Sequence, residues 1–468
     1  MKKTTDFAYQ AVYRYLVRLV NEAHDTSARR MPSLRQLARR LRVSISTVQN
    51  AYSLLEKEGR VRAVPKSGYY SVPADGLDLE QMLSSNVDPL LDALHRGARR
   101  PGMSLMGSDE PTVLQVQDNP LLAMERELTR QYPAPRDSGF QPFGDLELRT
   151  ALAARYTCNA KEGWYADNVY IGPDLPGMLK AVIEILQLRG TCVLVESPCA
   201  WTLLRLLQSF DIKVIELSAD EEGSVDLVLL DQMLKEKSVS MAFMSSALNP
   251  VRGSLRPLHN THAIADLLNH YGVWVLENDS HGELLFTQGQ SCLRDMIDPQ
   301  RLLILGTFDK SLGPETPYGY LLCKAFQPQC QHYFLLRAFE LPPIRQRAIA
   351  RLCNSGRLDA LLSDLRHSLA SRMHTMTQQL DQHLSRTLRY EVPAGGCGIW
   401  AHSLHPMDMR QVFESLLAQR IVIAPGELFS LQGWHRHSLR ISYAIDWAQN
   451  PEPMLVALDG ACRQARLH

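Results

Sequence analysis

PSLRQLARRLRVSISTVQNAYSLLEKEG, residues 32–59, is the stretch from which the rest of the chain can be read. Pro32 and Ser33 punctuate it, and Ser33 is placed as N-cap of a helix over Leu34–Leu41, because a short side-chain oxygen satisfies the amide hydrogens a helix start leaves open. Val43 and Ser44 make a short turn. In the helix that follows, Val48, Ala51, Tyr52 and Leu55 recur at steps of three and four, giving one apolar face, and Gly59 is placed to end it. The other face carries Ser46, Thr47, Gln49, Asn50 and Ser53, short polar side chains suited to base edges and phosphates in a major groove.

Outward from this core, Phe7, Ala11, Tyr15, Val17 and Leu19 predict a preceding helix with an apolar stripe. Downstream, residues 60–64 and 68–72 alternate like two strands around Pro65-Lys66-Ser67, a hairpin with a cationic tip at Lys66. The whole chain has no net charge, but residues 1–72 hold fourteen basic against five acidic side chains, an excess of nine positive charges that the remainder offsets. A short basic module on a mildly acidic body implies a polyanion-binding head.

The segment resembles the GntR type of winged helix-turn-helix through Met31-Pro32-Ser33, Arg35, Leu37-Ala38, Val43-Ser44, Thr47-Val48, Ala51-Tyr52, Leu55, Glu58-Gly59 and Ser67-Gly68-Tyr69. That resemblance implies DNA contacts at Arg35 and at the start of the third helix, through Ser44, Ser46, Thr47, Gln49 and Asn50, with Lys66 at the wing tip.

At 468 residues the chain is long enough for two or three domains. The head takes 1–72, a connection takes 73–115, and the large region takes 116–468, with a smaller C-terminal subdomain from about 350. In the connection, Leu77, Met82, Leu90, Leu91 and Leu94 line one amphipathic helix, which residues 96–102 break. Nine cysteines without a Cys-x-x-Cys pair read as reduced, packed thiols, with no metal site. No apolar run crosses a bilayer and no signal peptide opens the chain, so the expected compartment is the cytoplasm.

Beyond residue 120, strands are expected at Thr191–Val195, Lys213–Leu217, Val239–Met244, Val273–Glu277, Leu302–Gly306 and Tyr318–Leu322, with helices such as Leu175–Leu188 and His259–His270 between them. This alternation predicts an α/β domain with a largely parallel sheet and a ligand site where strands end.

Landmarks in this region resemble fold-type I aminotransferases, and the whole chain is similar to the MocR group, in which a GntR-type head precedes such a domain. The landmarks are Gly144 to Arg149 (GDLELR), Asn249-Pro250, Thr307-Phe308-Asp309-Lys310 and Leu439-Arg440-Ile441-Ser442. The resemblance implies pyridoxal 5'-phosphate as cofactor, with Lys310 as Schiff-base lysine, Thr307 in the lysine block, Asn249 on the cofactor's phenolic oxygen and Arg440 clamping a substrate carboxylate. The pyridine partner falls on Asn278, with Asp279 one place later as its substitute, and the family tyrosine falls on His281.

Other positions depart from that pattern. Pro173 and Asp174 stand in the phosphate cup, where proline lacks an amide hydrogen and aspartate brings negative charge towards a dianion. Pro317 replaces the phosphate arginine, Glu315 adds a carboxylate, and Arg252 or Arg256 would be substitutes. Ala200 takes the ring-stacking position, with Trp201 next to it. The first expectation is a homodimeric regulator on a double-stranded operator with two half-sites, sensing pyridoxal phosphate, an amino acid or their adduct. The alternatives are a cofactor-free pseudoenzyme regulator and, last, an active aminotransferase with a DNA-binding head.

Overall fold

The computed structural model describes residues 12–20 without 14 and 18, 30–57, 60–64, 68–71, 88–114 without 101, 120–131, 140–158, and 163–466 without 237, 288, 448 and 449. These fall in two compact units, one drawn from residues 1–105 and 410–423, the other from 106–409 and 424–468. The division falls within the connection 73–115, and 410–423, read from the sequence as part of the C-terminal subdomain, groups with the front unit.

In the front unit, Ser33 and Gln36 cap each other reciprocally and start the helix Leu34–Leu41, which stops at Arg42 in the left-handed region (φ 54°). The Oγ of Ser44 accepts the N–H of Thr47 at 3.1 Å and opens the helix Ile45–Lys57. Val48, Ala51, Tyr52 and Leu55 on its inner face are fully buried against Leu37, Ala38 and Val61. Tyr52 stacks on Tyr69 with ring centroids 4.4 Å apart, and its hydroxyl donates to the Pro32 carbonyl at 2.6 Å. Strands β1 (Val61–Val64) and β2 (Gly68–Ser71) form the antiparallel wing hairpin. Lys66 lies outside the described residues, as do Gly59, Phe7 and Ala11.

The first helix buries Val12, Leu16 and Val20, a stripe at steps of four, while Tyr15, Val17 and Leu19 only flank it. The expected stripe is therefore set too far round the helix. In the connection, the helix runs Pro89–Ala98, Asp88 caps it, and it buries Leu90 and Leu94 as expected; Leu91 is only half-buried, and Leu77 and Met82 lie outside the described residues. Gly97 in this helix has no room for a side chain, since a Cβ would come within 2.8 Å of Leu417. Further along, β3 (Ser104–Leu105) pairs in parallel with β13 (Ile421–Val422).

The second unit is built on a seven-stranded sheet. Its strands are β4 (Val169–Gly172), β5 (Cys192–Ser197), β6 (Lys213–Ser218), β7 (Val239–Ser245), β8 (Trp274–Asn278), β9 (Leu302–Thr307) and β10 (Gly319–Cys323). The order is β4-β10-β9-β8-β7-β5-β6, with β10 antiparallel to both neighbours and the other pairs parallel. Side chains alternate between faces with the strand period of two: Val193, Val195, Met241, Phe243, Leu303 and Leu305 enter one core, and Leu194, Ala242, Met244, Leu302 and Ile304 the other. Helices such as Leu175–Ile185 and Leu258–Tyr271 cover the sheet.

Gly144 precedes the helix Leu146–Tyr156 with φ +98° and comes so close to Ile171 that a Cβ would collide with it. A smaller antiparallel sheet, ordered β11 (Leu388–Tyr390), β12 (Gly398–Ser403), β15 (Ser438–Ser442) and β14 (Ala424–Pro425), follows the 28-residue helix Arg357–Leu384.

Candidate functional site

On the head, the outer face of Ile45–Lys57 presents Ser46, Gln49 and Asn50 exposed, with Thr47 half-buried at its first turn. The Ser44 hydroxyl lies 2.8 Å from that of Ser46 and 2.7 Å from that of Thr47. Ser44 is thus committed to capping, while the helix start it holds is left facing outwards. Arg35 is exposed on the neighbouring helix, and Arg39, Arg40, Arg42 and Arg62, not singled out from the sequence, are exposed or half-exposed in the same module. Their signal is present as basic residues, but which face they occupy needs the packing.

In the second unit, a cavity of about 330 Å³ opens where β5, β7, β8 and β9 end, lined by Glu196, Ser245, Asn278 and Thr307 at those strand ends. This is the crevice position ligands take in open α/β sheets. Lys310, Arg440, His281, Ala200 and Trp201 also line it. Gly398 makes room for the clamp arginine, since a Cβ there would lie 2.7 Å from the guanidinium of Arg440.

Asp109, which by sequence belongs to the connection and carries no motif, joins these groups. Its carboxylate is 3.1 Å from Lys310 Nζ, 2.7 Å from Arg440 Nη2, 3.1 Å from His281 Nε2 and 3.2 Å from Cys397 Sγ. Lys310 also donates to the Asp109 carbonyl at 2.7 Å and lies 3.4 Å from Asp309. Burial works against a charge on Asp109, but Lys310, His281 and Arg440 outweigh it and hold the carboxyl well below the usual range. Burial would likewise lower Lys310, yet Asp109 and Asp309 prevail and push its ammonium above the ordinary lysine value. A lysine must lose its proton to attack an aldehyde, so this ion pair opposes aldimine chemistry.

The phosphate end is closed in the same manner. Asp174 turns its own carboxylate onto the start of Leu175–Ile185, where the Gly177 amide donates to it at 2.6 Å. An anion already occupies the helix N-terminus that a phosphate would use. Pro317 lines the cavity as expected, whereas Glu315 is exposed beside Arg345 and does not enter it. Arg252 is spent on the carbonyls of Asp220 and Glu221, and Arg256 bonds Glu196 at 2.8 Å through Nη2 while its Nε and Nη1 stay buried without a partner among the described residues; neither arginine is among the residues lining the cavity.

Of the other expected contacts, Asn278 lines the cavity, but its Oδ1 accepts the Ser280 amide at 3.2 Å. Asp279 points elsewhere, to Tyr156 (2.6 Å) and Arg294 (3.0 Å), in a buried network with Glu277; the suggested one-residue substitution is not realised. Asn249 folds its oxygen onto the amides of Val251 and Arg252 and its nitrogen towards Glu196. Thr307 donates to Asp309 at 2.7 Å. Four carboxylates, Asp109, Asp174, Glu196 and Asp309, line the cavity against the two cations Lys310 and Arg440. These residues do not fit pyridoxal phosphate: the lysine is ion-paired, the phosphate end holds a carboxylate, and the net charge opposes a dianion.

Asp109, His281 and Cys397 bring their ligand atoms within 4.8 Å of one another, the spacing of a metal site. Two cations at the same carboxylate repel a metal ion, and burial pushes the Cys397 thiol up to about 12, which keeps it a poor ligand.

A winged-helix head and an aminotransferase-type body define the class. Residues 105–452 match the model of aminotransferase class I and II, and residues 8–70 match that of bacterial regulatory proteins of the gntR family. The uncharacterized HTH-type transcriptional regulator YdcR of Escherichia coli K12 is 28% identical over 94% of this chain and 95% of its own. YjiR of the same organism, described in the same terms, is 23% identical over 98% and 99%. Among solved structures, the α-aminoadipate aminotransferase LysN of Thermus thermophilus superposes with a TM-score of 0.70 at 20% identity, over 81% of this chain and 95% of that one. The kynurenine aminotransferase of Pyrococcus horikoshii gives 0.72 at 17% identity, over 83% and 98%. The chain belongs to the aminotransferase class I and II family and carries a GntR-type head, the two-part architecture of MocR-like transcriptional regulators.

Proposed function

We propose that this GntR-type regulator binds a duplex operator through the paired heads of a homodimer in the cytoplasm, and that its aminotransferase-like body is a small-molecule sensor without transaminase activity. Among the described residues no helix is long and apolar enough to cross a membrane, which agrees with that placement. The observation that carries the reading is the internal ion pairing of Lys310 and Arg440 with Asp109 beside a phosphate end filled by Asp174. An enzyme needs both cations open to substrate and cofactor; a sensor needs only a cavity whose occupancy changes the protein. The retained clamp Arg440 and the apolar walls Trp201, Phe243, Val251 and Phe429 favour an effector with one carboxylate and an apolar body, such as an amino acid. The second reading, pyridoxal phosphate or its amino-acid adduct as effector, is favoured by Lys310 lining the cavity.

Operator retardation combined with visible absorbance tests the proposal. Arg35→Ala with Thr47→Ala abolishes specific retardation while the protein stays folded, and added pyridoxal phosphate gives no visible band. A band lost in Lys310→Ala establishes the second reading. Turnover of an amino acid to its keto acid would refute the sensor.

A further inference from the structure

The seat on Lys310 and Arg440 is built for an acid group, and the chain fills it itself. Its cations come from distant elements, Lys310 just after β9 and Arg440 in β15, and Asp109 reaches them from the segment 106–114. That segment is anchored at its start, where Met106 is buried and its carbonyl accepts the Ser442 amide at 2.6 Å, and at Ser108, whose carbonyl accepts from Arg440 at 2.9 Å; the buried Pro111 opens the turn Pro111–Leu114 beyond, and the Asp109 side chain is the part that faces the cavity. The Arg440 side chain is 3% exposed, whereas that of Asp109 is 39% exposed and lines the cavity. Arg440 is therefore enclosed, and the Asp109 carboxylate is the more accessible and exchangeable partner. A salt bridge whose anion faces an open cavity can be exchanged for another anion with the charges on both sides the same, so what an incoming anion must overcome is mainly the advantage of the tethered one. Along the chain, Asp109 lies just beyond Leu105, where the front unit's first segment ends.

We infer that Asp109 is a tethered occupant of the effector site: an incoming carboxylate seats on Arg440 and Lys310 only by displacing it, and the released 106–114 segment passes the change to the connection with the DNA-binding head. This rests on the reading of the cavity as an effector site. Asp109 then sets the threshold for effector binding. It also confines the effector to carboxylates whose remaining contacts let them outcompete an intramolecular one.

The test uses full-length protein with sodium acetate as probe, against sodium chloride at equal ionic strength. In Asp109→Ala, the two cations lose their counter-charge, and millimolar acetate raises the melting temperature saturably by about 2–4 °C, while wild type moves by less than about 1 °C. Adding Arg440→Ala removes the response. Acetate and chloride acting alike on Asp109→Ala, or wild type responding equally, would overturn the inference. Should the alanine variant fail to fold, Asp109→Asn keeps the side-chain volume, and calorimetry must then find acetate binding at least about tenfold tighter than in wild type. Operator affinity supplies the coupling readout: Asp109→Asn without ligand shifts it at least about fivefold from wild type. An unshifted affinity with acetate binding intact refutes transmission. Loss of operator binding in wild type instead counts against the regulator reading, and the acetate arm stands apart from it.

Discussion

Replacing Arg35 by alanine isolates the electrostatic part of DNA recognition. The side chain is exposed, and among the described residues it makes no hydrogen bond or ion pair, so its loss leaves the stability of the head within about 0.5 kcal/mol. In the proposed operator complex its guanidinium would form one charge-assisted bond per head, worth about 1.5–3 kcal/mol. A homodimer of the variant loses two such bonds, about 3–6 kcal/mol, which at 1.4 kcal/mol per tenfold weakens operator binding roughly 100- to 20,000-fold. A dimer carries two copies, so two fewer counterions are released on binding, and the slope of log affinity against log salt shrinks by about 1.8. Fluorescence anisotropy on an operator selected from random duplexes, titrated at several salt concentrations, reads affinity and slope together. Unchanged affinity and slope in a folded variant would refute the placement of Arg35 against the phosphate backbone.

Three further outcomes are expected. Tyr52→Phe keeps the stack on Tyr69 but removes the donor to the Pro32 carbonyl, lowering head stability by about 0.5–1.5 kcal/mol in urea unfolding, with operator binding intact below the transition. Asp174→Ser retains a capping oxygen while removing the carboxylate from the phosphate end, and retention of pyridoxal phosphate in equilibrium dialysis rises at least about tenfold; no gain would mean the cup is closed for another reason. Burial, with His402 and Arg252 nearby, lowers His435 to about 4. Between its ordinary value and that one, the unfolded chain binds the extra proton. His435 thus takes stability away as pH falls from about 6.5 to about 4 and contributes no pH dependence above that window. His435→Asn, which tolerates the left-handed backbone there (φ 60°), flattens the denaturation profile in this window.

The elements that are legible in the sequence are those with a strong local period. The inner face of Ile45–Lys57 buries the same four residues its spacing singles out, and the six expected strands of the large sheet are all present within a residue or two. The edge strand β4, four residues long and running straight out of a short 3-10 turn, carries no such period and is not among the expected strands. The first helix shows the same limit: several apolar residues on both flanks blur the phase, and only burial in the core shared with Leu37, Tyr52 and Leu55 selects Val12, Leu16 and Val20.

Side chains at the site divide along the same line. Lys310, Arg440, Asn278 and His281 follow from motifs and do line one cavity, because motif spacing fixes where each strand ends. Asp279, one residue on from Asn278, faces the opposite way, as alternation along an extended chain requires. By itself, the sequence determined two folding units of known type, a basic helix face, and the removal of the groups that hold a phosphate. The tertiary structure alone decided that Asp109 sits on the lysine and the arginine. That contact joins residues 201 and 331 positions apart, and charges so distant in the chain meet only through the packing of the sheet between them.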